Sequence, residues 1–253
     1  MSQSQPAPVV GKRFWLFFFG GMFLLAGAVA IYVWLALRPL PAAPEAAWAL
    51  QSDARVKVEQ TGYGYDFIPS GTPKGGLAFY PGGRVEYTAY APLMRRIAQS
   101  GYLVALMWAP FGLAVTAENK AQEPIAAHPE LAWAVGGHSV GGVAAATFAG
   151  ADSRVRALVL FAAYPRIDLR DRTIPTLALF GTQDGVLPPE EARRRAQLLP
   201  KGAEVRFLEG LNHSAYGAYG PQPGDQAATV GKPEGWGIIS KDVVAFLNQH
   251  LKP

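Results

Sequence analysis

The feature that most constrains this chain is an uncharged stretch near its N-terminus, residues 14–37, in which only three glycines fall outside the hydrophobic class. A helix of this length rises about 36 Å, which is enough to cross a hydrocarbon core of about 30 Å with some tilt. Trp15, Tyr32 and Trp34 lie near its ends, where amphipathic aromatic rings favour the lipid headgroup region. We therefore predict a transmembrane helix over residues 14–37, preceded by an N-terminal tail over residues 1–13.

A cleaved signal peptide is the main alternative for this stretch. The apolar part of a signal peptide usually has about 7–15 residues and ends at a small-residue cleavage site. The stretch here is longer, although small residues follow it between positions 39 and 47. Lys12 and Arg13 precede it and Arg38 follows it, and the positive-inside rule then favours a cytoplasmic N-terminus. We expect an uncleaved single-pass membrane anchor, with the following domain on the extracytoplasmic side.

Composition and charge exclude several classes of protein. The 253-residue chain has no cysteine, which excludes a disulfide scaffold, a cysteine nucleophile and a cysteine-ligated metal centre. Its net charge of +4 would be compatible with nucleic-acid binding, but three of those charges lie in residues 1–38. The remainder is nearly neutral and lacks a broad basic footprint. The basic run at residues 193–195 is typical of a solvated helix face, so no nucleic-acid partner is predicted.

The rest of the chain alternates short apolar runs with helical stretches. Residues 38–54 are rich in proline and alanine and predict a linker, whereas residues 55–253 show no internal repeat and predict one domain. The first two apolar runs, 56–60 and 63–68, predict an antiparallel hairpin, and residues 238–251 predict a closing helix. The alternation is typical of a sheet covered on both faces. The expected fold class is α/β, a mostly parallel doubly wound sheet preceded by one transmembrane helix.

One motif in this alternation carries chemistry. An apolar strand ending at Gly136 leads into Gly137-His138-Ser139-Val140-Gly141, a G-x-S-x-G sequence, and then into a helix of small residues. In such a strand–turn–helix, the sharp turn holds the serine in strained backbone geometry and presents its hydroxyl above the sheet. The helix N-terminus adds free N–H groups and a partial positive charge. A glycine-rich turn that packs a helix against a strand is the alternative, and the flanking elements favour Ser139 as a nucleophile.

A serine nucleophile needs a base, and the chain has four histidines from which to choose. His213 lies in a turn just after the last predicted strand and is the predicted base. His138 adjoins the serine and is expected to point away from it. His128 precedes the nucleophile strand, and His250 lies three residues from the C-terminus and is expected to be exposed.

The base in turn needs a carboxylate that orients it. Asp184 follows an apolar strand in Phe180–Gly185, so it is expected at the same edge of the sheet as Ser139. A turn aspartate that caps its own backbone is the alternative for this residue. Because Ser139, Asp184 and His213 each follow a different predicted strand, their conjunction favours a catalytic triad.

Several segments resemble the alpha/beta hydrolase superfamily, and within it the alpha/beta hydrolase fold-5 group: Phe79–Val85, Gly136–Gly142, Phe180–Gly185, Asn212-His213 and, as the group's tail, Tyr219–Asp225. The resemblance covers residue 56 to the C-terminus. It implies a hydrolase with nucleophile, acid and base in the order Ser139, Asp184, His213. It also implies an oxyanion hole formed by the backbone N–H of Val140 and a donor from the loop after the third strand. That donor is Gly82 or Gly83, since proline at position 81 has no N–H, and Gly83 is the one we expect.

The chain departs from many members of this family because only about ten residues separate the strands near positions 163 and 174, too few for a cap domain. The pocket is then expected to be covered by loops, with four aromatic residues as candidates for its lining: Trp108, Phe111, Tyr164 and Tyr216. Each of the four is equally readable as an ordinary core or surface aromatic.

The predicted function is therefore hydrolysis of an ester or related acyl bond in a small substrate by a membrane-anchored serine hydrolase, without a metal or an organic cofactor. A thioesterase, a lipase or a peptidase would use the same acyl-transfer machinery. A non-catalytic binding or scaffold protein with the same fold is the alternative function.

Overall fold

The structure is a computed structural model that describes residues 11–36 and 38–251. Contacts divide the chain into two compact units, residues 1–38 and residues 39–253. Residues 1–10, which make up most of the predicted N-terminal tail, lie outside the described residues.

The described residues of the first unit form one helix, α1 (Lys12–Ala36). Its segment Arg13–Tyr32 has a mean hydropathy of 2.2, and none of that segment is buried. This helix is long and apolar enough to span a membrane. The predicted span extends one residue further, to Leu37, which lies outside the described residues.

The second unit is built on one eight-stranded sheet. Its strands are β1 (Val56–Gln60), β2 (Gly64–Pro69), β3 (Gly76–Tyr80), β4 (Leu103–Met107), β5 (Trp133–His138), β6 (Val155–Phe161), β7 (Thr176–Gly181) and β8 (Glu204–Leu208). They lie side by side in the order β1-β2-β4-β3-β5-β6-β7-β8. β2 pairs antiparallel with β1 and β4, and all other neighbours pair parallel. The predicted mostly parallel sheet, with an antiparallel hairpin at its start, is confirmed.

Six helices in the described part of the second unit flank this sheet. They are α2 (Pro44–Ala49), α3 (Ala91–Ala98), α4 (Gln122–Ala127), α5 (Val140–Ala151), α6 (Pro189–Arg195) and α7 (Lys232–His250). Short 3₁₀ turns occur at Tyr87–Tyr90, Pro110–Gly112, Ala114–Thr116, Glu118–Ala121, Ala196–Leu198 and His213–Tyr216.

Neighbouring residues of a central strand face opposite layers of the core. In β3, Leu77 and Phe79 pack in the layer that contains α3 and α7, whereas Ala78 and Tyr80 pack in the layer that contains α5 and α6. Every residue of β3 is buried. Because both faces of such a strand are covered, its sequence is a continuous apolar run rather than an alternating one. This arrangement is the predicted doubly wound sheet.

The predicted linker, residues 38–54, is the main difference from the sequence expectation. From Pro39 onward these residues belong to the second unit. Leu40 forms a bridge with Val85, in the loop after β3, and α2 buries Ala46 and Ala49 against the core. Small apolar side chains that were interpreted as a flexible linker are therefore used for helix packing, and proline in the first turn of α2 favours the start of that helix.

Arg95 of α3 binds the end of this segment through hydrogen bonds and an ion pair. Its guanidinium donates to the carbonyl oxygens of Ala49 and Gln51 at 3.1 and 2.6 Å and forms an ion pair with Asp53 at 2.7 Å. The Arg95 side chain is almost fully buried, so these contacts replace the water that a charged group would otherwise bind.

The closing helix is also longer than its prediction, residues 238–251. It begins at Lys232, because Pro233 and Glu234 in its first turn favour a helix N-terminus. The connection between β6 and β7, residues 162–175, contains no helix or strand, and all of these residues are described. The carboxyl ends of the strands are therefore covered by loops.

Replacing Arg95 by alanine is expected to lower the free energy of unfolding by about 2 kcal/mol, because carbonyl oxygens that it satisfies lose their donor. Chemical denaturation of the full chain in detergent measures this change. Arg96→Ala, at the exposed neighbouring position, is the matched control and should change stability by less than about 0.5 kcal/mol. Equal losses in the two variants would contradict the role given to Arg95.

Candidate active site

The predicted site residues lie along one edge of the sheet, where the parallel strands end. Ser139 directly follows β5, Asp184 comes three residues after β7 and His213 comes five residues after β8. The loop at residues 81–86 follows β3, the neighbour of β5. Ligand sites of open parallel sheets form at this carboxyl edge.

Ser139 occupies a strained turn between β5 and α5. Its φ is 53° and its ψ is −124°, a conformation that costs a residue with a side chain about 1–3 kcal/mol. Two glycines make the turn sterically accessible. A Cβ at Gly137 would lie 2.3 Å from the carbonyl oxygen of Gly141, and one at Gly141 would lie 2.2 Å from the carbonyl oxygen of Pro81. The first turn of α5 is therefore pressed against the ends of β3 and β5.

Asp184 and His213 form a buried hydrogen-bonded pair. Nδ1 of His213 lies 2.8 Å from Oδ2 of Asp184, and both side chains are almost completely excluded from solvent. The other carboxylate oxygen, Oδ1, accepts the backbone N–H groups of Val186 and Leu187 at 2.9 and 2.6 Å. Since these N–H groups orient the carboxylate, the histidine ring is held in one orientation.

The second ring nitrogen of this histidine faces the rest of the site. Nε2 of His213 is buried and has no hydrogen-bond partner within residues 11–36 and 38–251. His213 and Ser139 line one cavity of about 170 Å³. A base in an empty site often forms its bond to the nucleophile only when substrate is present. The arrangement therefore offers an unoccupied nitrogen and a serine in the same small cavity.

The loop after β3 lies against the N-terminus of α5. A Cβ at Gly83 would lie 2.7 Å from Cγ2 of Val140, so the two predicted oxyanion-hole residues are adjacent. The neighbouring N–H, that of Gly82, donates to the Tyr90 hydroxyl at 3.0 Å. The Gly82 N–H therefore already has a partner, and position 81 is a proline without an N–H.

Tyr90 also connects this loop to the residue before the nucleophile. Its hydroxyl accepts the Gly82 N–H and lies 2.8 Å from Nδ1 of His138, with which it shares a hydrogen bond. Burial holds the pKa of His138 well below its usual value, with a further lowering by the nearby His213. The sequence predicted only that His138 points away from Ser139, and no motif indicated Tyr90.

Of the four aromatic residues predicted to line the pocket, only Tyr164 lines the cavity that contains Ser139. The remaining lining is aliphatic or small: Val140, Val143, Ala162, Ala163, Val186 and Leu187. Ala162 also has a positive φ of 44°, an unusual conformation for alanine that its residue type did not signal. Two larger cavities, of about 410 and 550 Å³, contact none of Ser139, Asp184 and His213.

The structure places Tyr216 in the core rather than in the lining. Its ring is fully buried, it stacks on Phe161, and its hydroxyl donates to the carbonyl oxygen of Leu179. Trp108 and Phe111 also lie outside the lining. Trp108 donates to the carbonyl oxygen of Gly62 at 2.9 Å, and the Phe111 side chain is 87% exposed.

The other two histidines lie away from the site. His128 is within 3.5 Å of Asp66, and the ring of His250 packs on Phe246. In the part of the chain that the structure describes, no group of three histidine or acidic side chains is placed to hold a metal ion.

The fold and the arrangement of residues at its edge define an alpha/beta hydrolase type of protein. A sequence model of the alpha/beta hydrolase family matches residues 76–236, more than half of the chain, and the chain belongs to that family. Family membership, predicted from the motifs, is confirmed and supports a hydrolase-type function.

Comparison of structures agrees on the fold. TT1662 from Thermus thermophilus is similar with a TM-score of 0.57 and 18% sequence identity, and the match covers 77% of this chain and 98% of that one. At this identity the similarity concerns the fold alone. A comparison with curated proteins gave no match.

The strained backbone at Ser139 predicts an unusual order in the stabilities of the glycine and alanine variants at this position. Ser139→Gly is expected to be more stable than Ser139→Ala by about 1 kcal/mol, because glycine adopts a positive φ without a steric cost. Differential denaturation of the two variants measures the difference. At Ser153, an exposed residue without a positive φ, the same pair should have the reverse order by about 0.5–1 kcal/mol. The same order at both positions would contradict the strain at Ser139.

Proposed function

We propose that this chain is a serine hydrolase that cleaves an ester or related acyl bond through a Ser139–His213–Asp184 triad. The observation that carries the proposal is the buried His213–Asp184 hydrogen bond of 2.8 Å, with the unpartnered Nε2 of His213 in the cavity that Ser139 lines. A nucleophile in a strained turn also supports catalysis over a binding or scaffold role, because such strain persists only where surrounding structure imposes it.

In the proposed reaction, Oγ of Ser139 attacks the substrate carbonyl carbon as Nε2 of His213 takes the hydroxyl proton. The oxygen of the tetrahedral intermediate carries the negative charge and accepts the N–H groups of Val140 and Gly83. When the carbon–oxygen bond to the leaving group breaks, His213 gives the proton to the departing alcohol. Water then attacks the acyl-enzyme by the same route, which releases the acid and restores Ser139.

Asp184 has an electrostatic role in this scheme. Its carboxylate keeps the proton of His213 on Nδ1, so Nε2 is available to accept a proton, and it stabilises the imidazolium that forms. The N–H groups of Val186 and Leu187 hold the carboxylate in place. Removing one oxyanion-hole donor in a comparable hydrolase costs about 3–4 kcal/mol, and the pair Val140 and Gly83 would supply that stabilisation here.

The size and lining of the cavity support a short acyl group. The cavity has a volume of about 170 Å³ and is bounded by Val143, Ala163 and Leu187. This volume suits an acyl chain of a few methylene groups, and these side chains offer a substrate no charged partner. Loops, rather than a cap domain, cover the strand ends at this cavity. A small acyl ester is the substrate class that this lining favours.

We also propose that α1 anchors the hydrolase in a membrane as a single-pass helix, with the domain on the extracytoplasmic side. The length of the uncharged stretch of α1 that begins at Phe14 supports the anchor, and Lys12 and Arg13, which precede that stretch, support the orientation. Within the second unit, Leu40 pairs with Val85, so the chain enters this unit beside the loop that carries Gly83.

Ser139→Ala is expected to abolish both hydrolysis of p-nitrophenyl butyrate and labelling by a fluorophosphonate, with a fall in kcat of about 10⁴-fold or more. The full chain in detergent is used for both assays. Ser240→Ala, which removes a hydroxyl on α7, is the control and should retain activity and labelling. Hydrolysis or labelling that is equal in wild type and Ser139→Ala would overturn the assignment.

The acyl-chain preference should depend on Val143, which lies one turn after Ser139 and lines the cavity. We expect kcat/KM to fall from butyrate to octanoate esters in the wild type, and Val143→Ala to favour longer chains by about 10-fold, because one methylene in an apolar pocket is worth about 1–3 kcal/mol. Val205→Ala, a half-exposed position on β8, is the matched control. An unchanged chain-length profile in Val143→Ala would show that the acyl group binds elsewhere.

A further inference from the structure

The segment Tyr219–Asp225 has no role in the mechanism above, although it is one of the segments that resemble the family. In the structure, the carboxylate of its last residue accepts four backbone N–H groups. Oδ1 of Asp225 accepts those of Gly185, His213 and Gln226 at 3.2, 3.1 and 2.9 Å, and Oδ2 accepts that of Ser214 at 2.9 Å. One side chain therefore connects three separate segments of the loop region.

Two of these segments carry the acid and the base. Gly185 directly follows Asp184, and the other contacts are the backbone of His213 itself and of Ser214. Asp184 and His213 lie in loops after different strands, and loops are the mobile part of such a fold. The Asp225 carboxylate links the two loops through their backbone N–H groups. These contacts do not involve the side-chain hydrogen bond between Asp184 and His213.

The opposite end of the base turn is held by a second charged side chain. Nζ of Lys232 donates to the carbonyl oxygens of Ser214 and Gly217, and burial lowers the pKa of Lys232 to about 8. The turn His213–Tyr216 thus has a carboxylate at its N–H end and an ammonium group at its carbonyl end. Both charges have the sign that the aligned peptide dipoles of the turn favour.

We propose that Asp225 is a positioning residue, whose carboxylate fastens the loop after Asp184 to the turn that carries His213 and keeps these two side chains aligned for proton transfer. The proposal rests on the proposed function. Asp225 touches neither the reacting atoms nor the imidazole ring in the contacts described, and it acts through the backbone on both sides of the acid–base pair.

The chemistry of the residue gives an ordered series of variants. Asp225→Asn keeps one carbonyl-type oxygen for the three N–H groups at Oδ1, but its amide nitrogen faces the N–H of Ser214 and cannot accept it. Asp225→Ala removes all four acceptors. Since a misplacement of about 1 Å can cost about 100-fold in rate, we expect kcat on p-nitrophenyl butyrate to fall about 100-fold in Asp225→Ala and by a smaller factor in Asp225→Asn, with KM within about threefold of wild type.

Asp53 provides a matched control for loss of structure alone. Its carboxylate also accepts two backbone N–H groups, those of Arg55 and Val56, and it contacts none of the proposed triad residues. Asp53→Ala is expected to lower the melting temperature of the full chain in detergent while kcat per folded molecule stays within about twofold of wild type. If Asp225→Ala behaves like Asp53→Ala, with a lower melting temperature and an unchanged kcat, the positioning role is wrong.

A spectroscopic measurement tests the same role without turnover. The proton in the hydrogen bond between Nδ1 of His213 and Asp184 should give a far-downfield proton resonance, assigned by its disappearance in Asp184→Asn. We expect Asp225→Ala to shift or lose this resonance at a temperature where circular dichroism shows a folded chain, and Asp53→Ala to retain it. An unchanged resonance in Asp225→Ala would overturn the proposal.

The two measurements separate this proposal from the proposed function. If wild type hydrolyses no ester or thioester, the hydrolase assignment fails, and the resonance in Asp225→Ala still shows whether Asp225 aligns the pair. If wild type is active and Asp225→Ala keeps both its kcat and its resonance, the hydrolase assignment stands and the positioning role fails.

Discussion

The site depends on the close contact between the first turn of α5 and the ends of β3 and β5. At Gly141 the helix backbone approaches the carbonyl oxygen of Pro81 to a distance that no side chain permits. In the same region the chain passes through the strained turn at Ser139, and the Val140 side chain packs against Gly83. The proposed nucleophile and its candidate oxyanion donors thus lie together where a helix packs closely on two neighbouring parallel strands.

The acid and the base are held in a different way. Asp184 and His213 belong to longer loops, which have no regular hydrogen-bond ladder to set their position. Their alignment depends on polar side chains that form hydrogen bonds with loop backbone groups. Asp184 accepts the N–H groups of Val186 and Leu187. Asp225 and Lys232 bind the backbone of the turn that carries His213. Rigid packing orders one half of the site, and buried hydrogen bonds order the other half.

Much of the fold could be predicted from the sequence, and the successes share a physical cause. Residues 56–60 were predicted as a strand with the bounds that are observed, because this β-branched run ends at the turn-forming pair Thr61-Gly62. Residues 38–54 were interpreted as a linker because they are rich in proline and alanine, but burial of Ala46 and Ala49 depends on a surface that α3 supplies. Tyr216 was a candidate for the pocket lining, although its ring packs inward on Phe161.

The uncharged stretch of α1, the alternation of strands and helices, and the positions of Ser139, Asp184 and His213 just after three strands could all be predicted without a structure. These are local properties, set by residue type and spacing along the chain. The tertiary structure decided which residues line the cavity, that Tyr90 joins Gly82 to His138, and that Asp225 joins the acid loop to the base turn. Such contacts connect residues between 8 and 48 positions apart, and hydrogen bonds form only when packing brings donor and acceptor to about 3 Å.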